Sequence, residues 1–126
     1  MLPAPIEQAL VAYLEPLVGS TVRTRVPNPR PDTFVRLTRV GGDRQNQVQG
    51  RPRVLVECWG NTDTLAWTLA EDAYDALDRL NDEGDLPRVS IHRVELTEPV
   101  NYPDAQSASP RYQFIATITA NLKEKS

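Results

Sequence analysis

The sequence predicts an α+β fold: a mainly antiparallel sheet of about five strands with two helices packed on one face, in the order α–β–β–β–α–β–β. Three observations predict it. Two segments place apolar residues at helical spacings of three and four, and five shorter ones alternate or run apolar as strands do. The order lacks the regular βα repeat that builds parallel sheets, so the helices should gather on one face. Finally, 126 residues that are 40% hydrophobic suit a single domain, 1–126, with one two-layer core.

The elements follow in order. Pro3 and Pro5 stand where a helix can begin, because the first turn does not use their missing N–H. Ile6, Leu10, Tyr13, Leu14 and Leu17 then mark one helical face, and Pro16 and Gly19 are expected to stop the helix, which is read over 5–17. TVRTRV (21–26) alternates as a half-buried strand. VPNPRPD cannot lie inside a sheet and is read as a connection. FVRLTRV (34–40) alternates again, whereas GGDRQNQVQGRP (41–52) is polar, aperiodic and read as a long mobile loop. VLVECW (54–59) is the most hydrophobic strand and is expected to be central. Gly60 to Asp63 offer turn and N-cap residues for a second helix, with Asp63 favourable near its positive end. Leu65, Leu69, Ala73, Ala76, Leu77 and Leu80 form its apolar stripe, and Asn81–Gly84 ends it. VSIHRVEL (89–96) and RYQFIATITANL (111–122) complete the strands. Between them, 97–110 is a second long loop with three prolines.

Composition narrows the functional classes. No apolar run reaches the roughly 18 residues of a membrane span. The first residues, with Glu7 and Glu15 inside their apolar stretch and no basic start, do not read as a signal peptide. A single cysteine, Cys58, rules out an internal disulfide and suits a reducing cytoplasm. The formal charge of −3 hides a strong asymmetry. Residues 23–53 carry eight arginines against two acids, a net of +6, and residues 71–85 carry seven acids against Arg79, a net of −6. Such a division bears on partners rather than on fold. Of the 14 basic residues 12 are arginine, which suits bidentate pairing at interfaces, although genomic base composition produces the same bias.

Reactive chemistry is sparse. The chain has no phosphate-binding GxxxxGK[ST] or GxGxxG loop, no HExxH and no CxxC. One histidine, His92, cannot build a multi-histidine metal site. Cys58 and His92 are a formal nucleophile–base pair, but a thiol in the most buried strand behaves as a small hydrophobe. Asp75, Asp78 and Asp82 share a helix face at i, i+3 and i+7, yet hard-cation sites draw oxygens from loops or several elements. They read as a solvated acidic face. The arginine-rich stretch raises nucleic-acid binding, but neither a recognition helix nor an aromatic sheet face is evident. Trp67 falls on or near the second helix, one position off the stripe, and Trp59 ends the central strand. No catalytic residue, metal or cofactor is therefore expected.

The stretches PRPDTFVRLTRVGG, RVLVECWG, AWTLAEDAYDALDRL and SPRYQFIATITAN together resemble tail terminator (head–tail completion) proteins of long-tailed actinobacterial phages. The likeness covers nearly the whole chain and rests on segment order and local phrasing rather than on a catalytic signature. It implies a small α/β protein similar in fold to the terminator of phage lambda. Such proteins form a hexameric ring on the end of the tail tube, stop its polymerisation and offer a surface to the head connector. The resemblance thus implies as partners other copies of the chain, the tail tube protein and the connector protein, with the genome passing through the lumen without sequence-specific contact. It places the protein at the head-proximal end of the tail in the virion, after assembly in the host cytoplasm. The opposite charge blocks suit a head-to-tail contact that closes a ring. Arg30, Arg44 and Arg51 opposite Asp75, Asp78 and Asp82 of a neighbour are the candidate interface residues. A head–tail connector or adaptor, and a small nucleic-acid-binding regulator, are the competing readings.

Overall fold

The hydrophobic strand VLVECW lies mid-sheet, in β3 (Gln49–Trp59), which pairs antiparallel with β2 (Phe34–Arg44) on one side and β7 (Arg111–Leu122) on the other. The structure, a computed structural model, describes residues 3–44, 49–103 and 105–122. Across the sheet the order is β1 (Thr21–Arg23), β2, β3, β7, β5 (Val89–Leu96) and β4 (Asp85–Leu86). The short β6 (Val100–Asn101) also pairs with β7, opposite Gln113 and Tyr112. Every pairing is antiparallel except β1 with β2, where Val22 lies opposite Val35 in parallel register. The fold is therefore the expected α+β, with a mixed sheet.

Two helices, α1 (Pro3–Val18) and α2 (Asp63–Glu83), cover one face. The sheet presents Val35, Leu37, Val54, Val56, Cys58, Phe114, Ala116, Ile118 and Ala120 to them, all buried. From α1 come Ile6, Leu10, Leu14 and Val18, and from α2 Leu69, Leu77, Leu80 and a run of alanines. Ala66, Ala70, Ala73 and Ala76 let the α2 backbone approach the layer below closely. Thr62, in extended conformation, caps α2 by accepting the Leu65 N–H at 3.1 Å. At the other end Gly84, at φ +83°, donates its N–H to the Leu80 carbonyl at 2.9 Å. The Asn81 side chain then holds both backbone groups of Val94, at 3.0 and 2.8 Å, which ties α2 to β5 and blunts that edge of the sheet.

Several expectations need correction. The loop read over 41–52 is largely strand: β2 runs to Arg44 and β3 starts at Gln49, with 45–48 outside the described residues. The glycine pair that suggested a loop instead makes a bulge between Arg39 and Gly42. A Cβ at Gly42 would lie 2.2 Å from the Arg51 carbonyl oxygen, at a φ of +119°, so only glycine lets the strands meet there. Pro16 does not stop α1 but sits in its last turn. The helix closes through the Gly19 N–H on the Glu15 carbonyl at 3.1 Å. The strand read over 21–26 shrinks to three residues, because Val26 finds no core and stays 42% exposed. Leu65, assigned to the apolar stripe, is 47% exposed, with Ala66 and Ala70 buried in its place. The loop 97–110 contains β6.

Candidate functional site

The uncovered face of the sheet is built from the alternate residues of the same strands. Along β3 these are Arg51, Arg53, Leu55, Glu57 and Trp59, since Val54, Val56 and Cys58 face the helices. Register then brings Phe34 and Arg36 of β2 beside Trp59 and Glu57, and Arg111 of β7 beside Trp59. Arg93 and Glu95 of β5 lie on this face, opposite Thr119 and Thr117. Of the charged residues named on this face, five are arginines and two, Glu57 and Glu95, are acids.

One end of it is an aromatic and ionic cluster. Phe34 and Trp59 stack, with ring centroids 4.5 Å apart and planes 11° from parallel. Glu57, only 3% exposed, accepts the Arg36 Nε–H at 2.8 Å on one oxygen and an Arg111 N–H at 3.2 Å on the other. A buried carboxylate is tolerable only with such charged, hydrogen-bonded partners. The guanidinium of Arg111 also lies between two rings, 5.1 Å from Trp59 and 5.3 Å from Tyr102, while Arg30 stands 5.5 Å from Phe34. Tyr102 and Val100 are 56% and 55% exposed there, so the cluster ends in an apolar lip. Thr38 Oγ1, Trp59 Nε1 and Asn121 Oδ1 on this face are buried without a hydrogen-bond partner. Trp59 itself is 3% exposed, so its ring is not offered to a nucleic-acid base.

The opposite side of the molecule is acidic. Asp72, Asp75, Asp78, Asp82 and Glu83 are exposed along the outward side of α2, with Arg79 among them. Among the described residues no salt bridge reaches Asp75, Asp78 or Asp82. The ion pairs lie elsewhere, as in Arg23–Glu15, Arg36–Glu57, Arg93–Glu95 and Arg111–Glu57. Among the described residues, none of these pairs joins an arginine of 23–53 to an acid of α2. Of the interface candidates, Arg51 points to the open face and Arg30 joins the aromatic cluster. Arg44 ends β2 with its side chain outside the described residues. Asp75, Asp78 and Asp82 share the outward face of α2, and no group of metal-binding side chains gathers among the described residues.

Cys58 and His92 are not assembled into a pair. Cys58 faces the helices opposite Val35 and Tyr112, whereas His92 is exposed at a bulge of β5 near Ala120 and Thr119, towards the other end of β7. Burial, and then the neighbouring Glu57 charge, pushes the Cys58 thiol well above its usual range, which favours the protonated thiol at neutral pH. The Glu57 cluster itself escaped the sequence reading, because its members come from three strands. The available signal was a lone acid inside the most hydrophobic strand.

The arrangement defines a class: a two-layer α+β domain whose distinctive surfaces are two oppositely charged faces. No family model and no curated protein matches the chain. Among solved structures it is similar to a chain of the virion of a native gene transfer agent particle. The TM-score is 0.67 at 17% identity, and the match covers 92% of this chain and 94% of that one. At this identity the likeness establishes the fold.

Proposed function

We propose that this chain is a structural protein of a phage-like virion that caps the tail tube as a ring, ends tube polymerisation and presents the head-joining surface. The observation that carries the virion reading is the end-to-end fold match to a chain of a gene transfer agent virion. The tail-capping role rests further on the sequence resemblance to tail terminators. Charge segregation supports self-association. An acidic helix face and an arginine-rich sheet face on opposite sides suit a contact in which one patch meets a different patch, the geometry that closes a ring. A hexamer is the ring size that the resemblance implies, with the tail tube and connector proteins as its axial neighbours.

The test is an assembly reaction with growing tail tubes. Added protein should arrest elongation at a fixed length and remain at one tube end in negative-stain images. Tubes that keep growing would defeat the terminator role. Binding to connector rings without arrest would reassign the chain as a connector or adaptor.

A further inference from the structure

The outward side of α2 is not purely acidic. Trp67 leads it, followed at spacings of four, four, three and four by Glu71, Asp75, Asp78 and Asp82, so all five lie on one stripe. Trp67 is 39% exposed. Its ring is held edge-on by Tyr112, with centroids 5.3 Å apart. A large aromatic fixed in place yet exposed, at the head of a charged stripe, has the make-up of an interface anchor.

The open face carries the complement in the same order. At one end stand the exposed Val100 and Tyr102 beside Arg111. Towards the other end Arg53 is opposite Thr117 and Arg93 opposite Thr119, and the Arg93 side chain is 68% exposed. The lengths agree. From Trp67 the helix rises about 12 Å to Asp75 and about 22 Å to Asp82, and from Gln113, opposite Val100, β7 advances about 14 Å to Thr117 and about 20 Å to Thr119.

We propose that the α2 stripe of one copy docks lengthwise on the open sheet face of a second copy. Trp67 seats on the Val100–Tyr102 lip, and Asp75, Asp78 and Asp82 meet Arg53, Arg93 and Arg51. Apolar end on apolar end and acid on arginine fix the direction of docking, and two different faces make the contact head-to-tail. The inference deepens the ring reading by naming its contact. It moves Arg30 away from the aspartates, to the aromatic end.

The experiment uses two full-length variants, each with one face spoiled. Asp75→Arg with Asp78→Arg disables the helix stripe, and Arg53→Glu with Arg93→Glu disables the sheet face. By sedimentation at low salt the wild type should form oligomers and each variant alone should stay monomeric. A mixture of the two should give one-to-one dimers and nothing larger, because a single intact pair of faces remains. Trp67→Ala should weaken wild-type association about tenfold or more, with an unchanged circular dichroism spectrum confirming that it folds. Variants that self-associate like the wild type, a mixture that stays monomeric, or a wild type monomeric at every concentration overturns the proposal. Tube capping is read separately. Arrest of tails by a protein that never self-associates would sink this contact and keep the function, whereas normal dimers without arrest would do the reverse.

Discussion

The two faces of one sheet follow opposite rules. On the covered face every β3 and β7 residue beneath the helices, from Val54 to Cys58 and Phe114 to Ala120, is apolar and buried. On the open face the neighbours one residue away are Leu55, Glu57, Ile115 and Thr117, half-buried or held by charge. The covered face is stabilised by the hydrophobic effect, which ionic screening does not weaken, and the open face by paired ions beside aromatic rings. The first face therefore makes the fold, and the second is free to respond to a partner.

Paired substitutions sharpen that contrast. Phe114→Ala should destabilise by about 3–5 kcal/mol through loss of a buried ring and the resulting cavity. Ile115→Ala, one residue along on the open face, should cost well under half of that, since its side chain is already partly in water. Denaturant unfolding measures both, and equal costs would erase the distinction. Glu57→Gln is the exception expected on the open face. It leaves Arg36 and Arg111 without their counter-ion and should cost up to about 3 kcal/mol, the low end for a broken buried pair because Arg36 is part-exposed.

Smaller effects fall at the edges of the covered layer. Thr62→Ala removes the α2 cap and should cost about 1 kcal/mol by the same measurement. Tyr13 lies with its hydroxyl 2.7 Å from the Ala76 carbonyl, and burial with the nearby Glu83 pushes its pKa up from 10.0 to about 12. The folded state thus prefers the neutral phenol. That stabilisation is complete below about pH 10 and is lost as pH rises towards 12. Tyr13→Phe should flatten this part of the stability–pH curve, and an unchanged curve would remove Tyr13 as its cause. Asp78→Arg, exposed on α2, should alter folding by no more than about 0.5 kcal/mol, so that any larger change in association belongs to the interface.

Periodicity made most of the fold legible. The strands at 89–96 and 111–122 have the bounds their patterns gave, and Gly84 ends α2 as the turn residues implied. What periodicity missed was set by tertiary contact. Gly41 and Gly42 read as loop because a bulge and a hairpin arm use the same residues, and only the proximity of Arg51 tells them apart. The parallel pairing of β1 depends on where the proline-rich connection returns the chain, which spacing does not encode. The acidic stripe was visible because it repeats within one helix. Trp67, at the head of that stripe, lies one position off the core spacing, which marks it as a surface residue without giving it a role. The Glu57 cluster and the apolar lip needed three strands and β6 to meet.

Whether the oppositely charged faces bring copies of the chain together is read by light scattering of the purified protein across concentration and salt. A discrete oligomer is expected at low salt, with a mass that falls towards that of the 14.1 kDa chain as ionic strength rises. A mass that does not change with salt, whether monomer or oligomer, would contradict it.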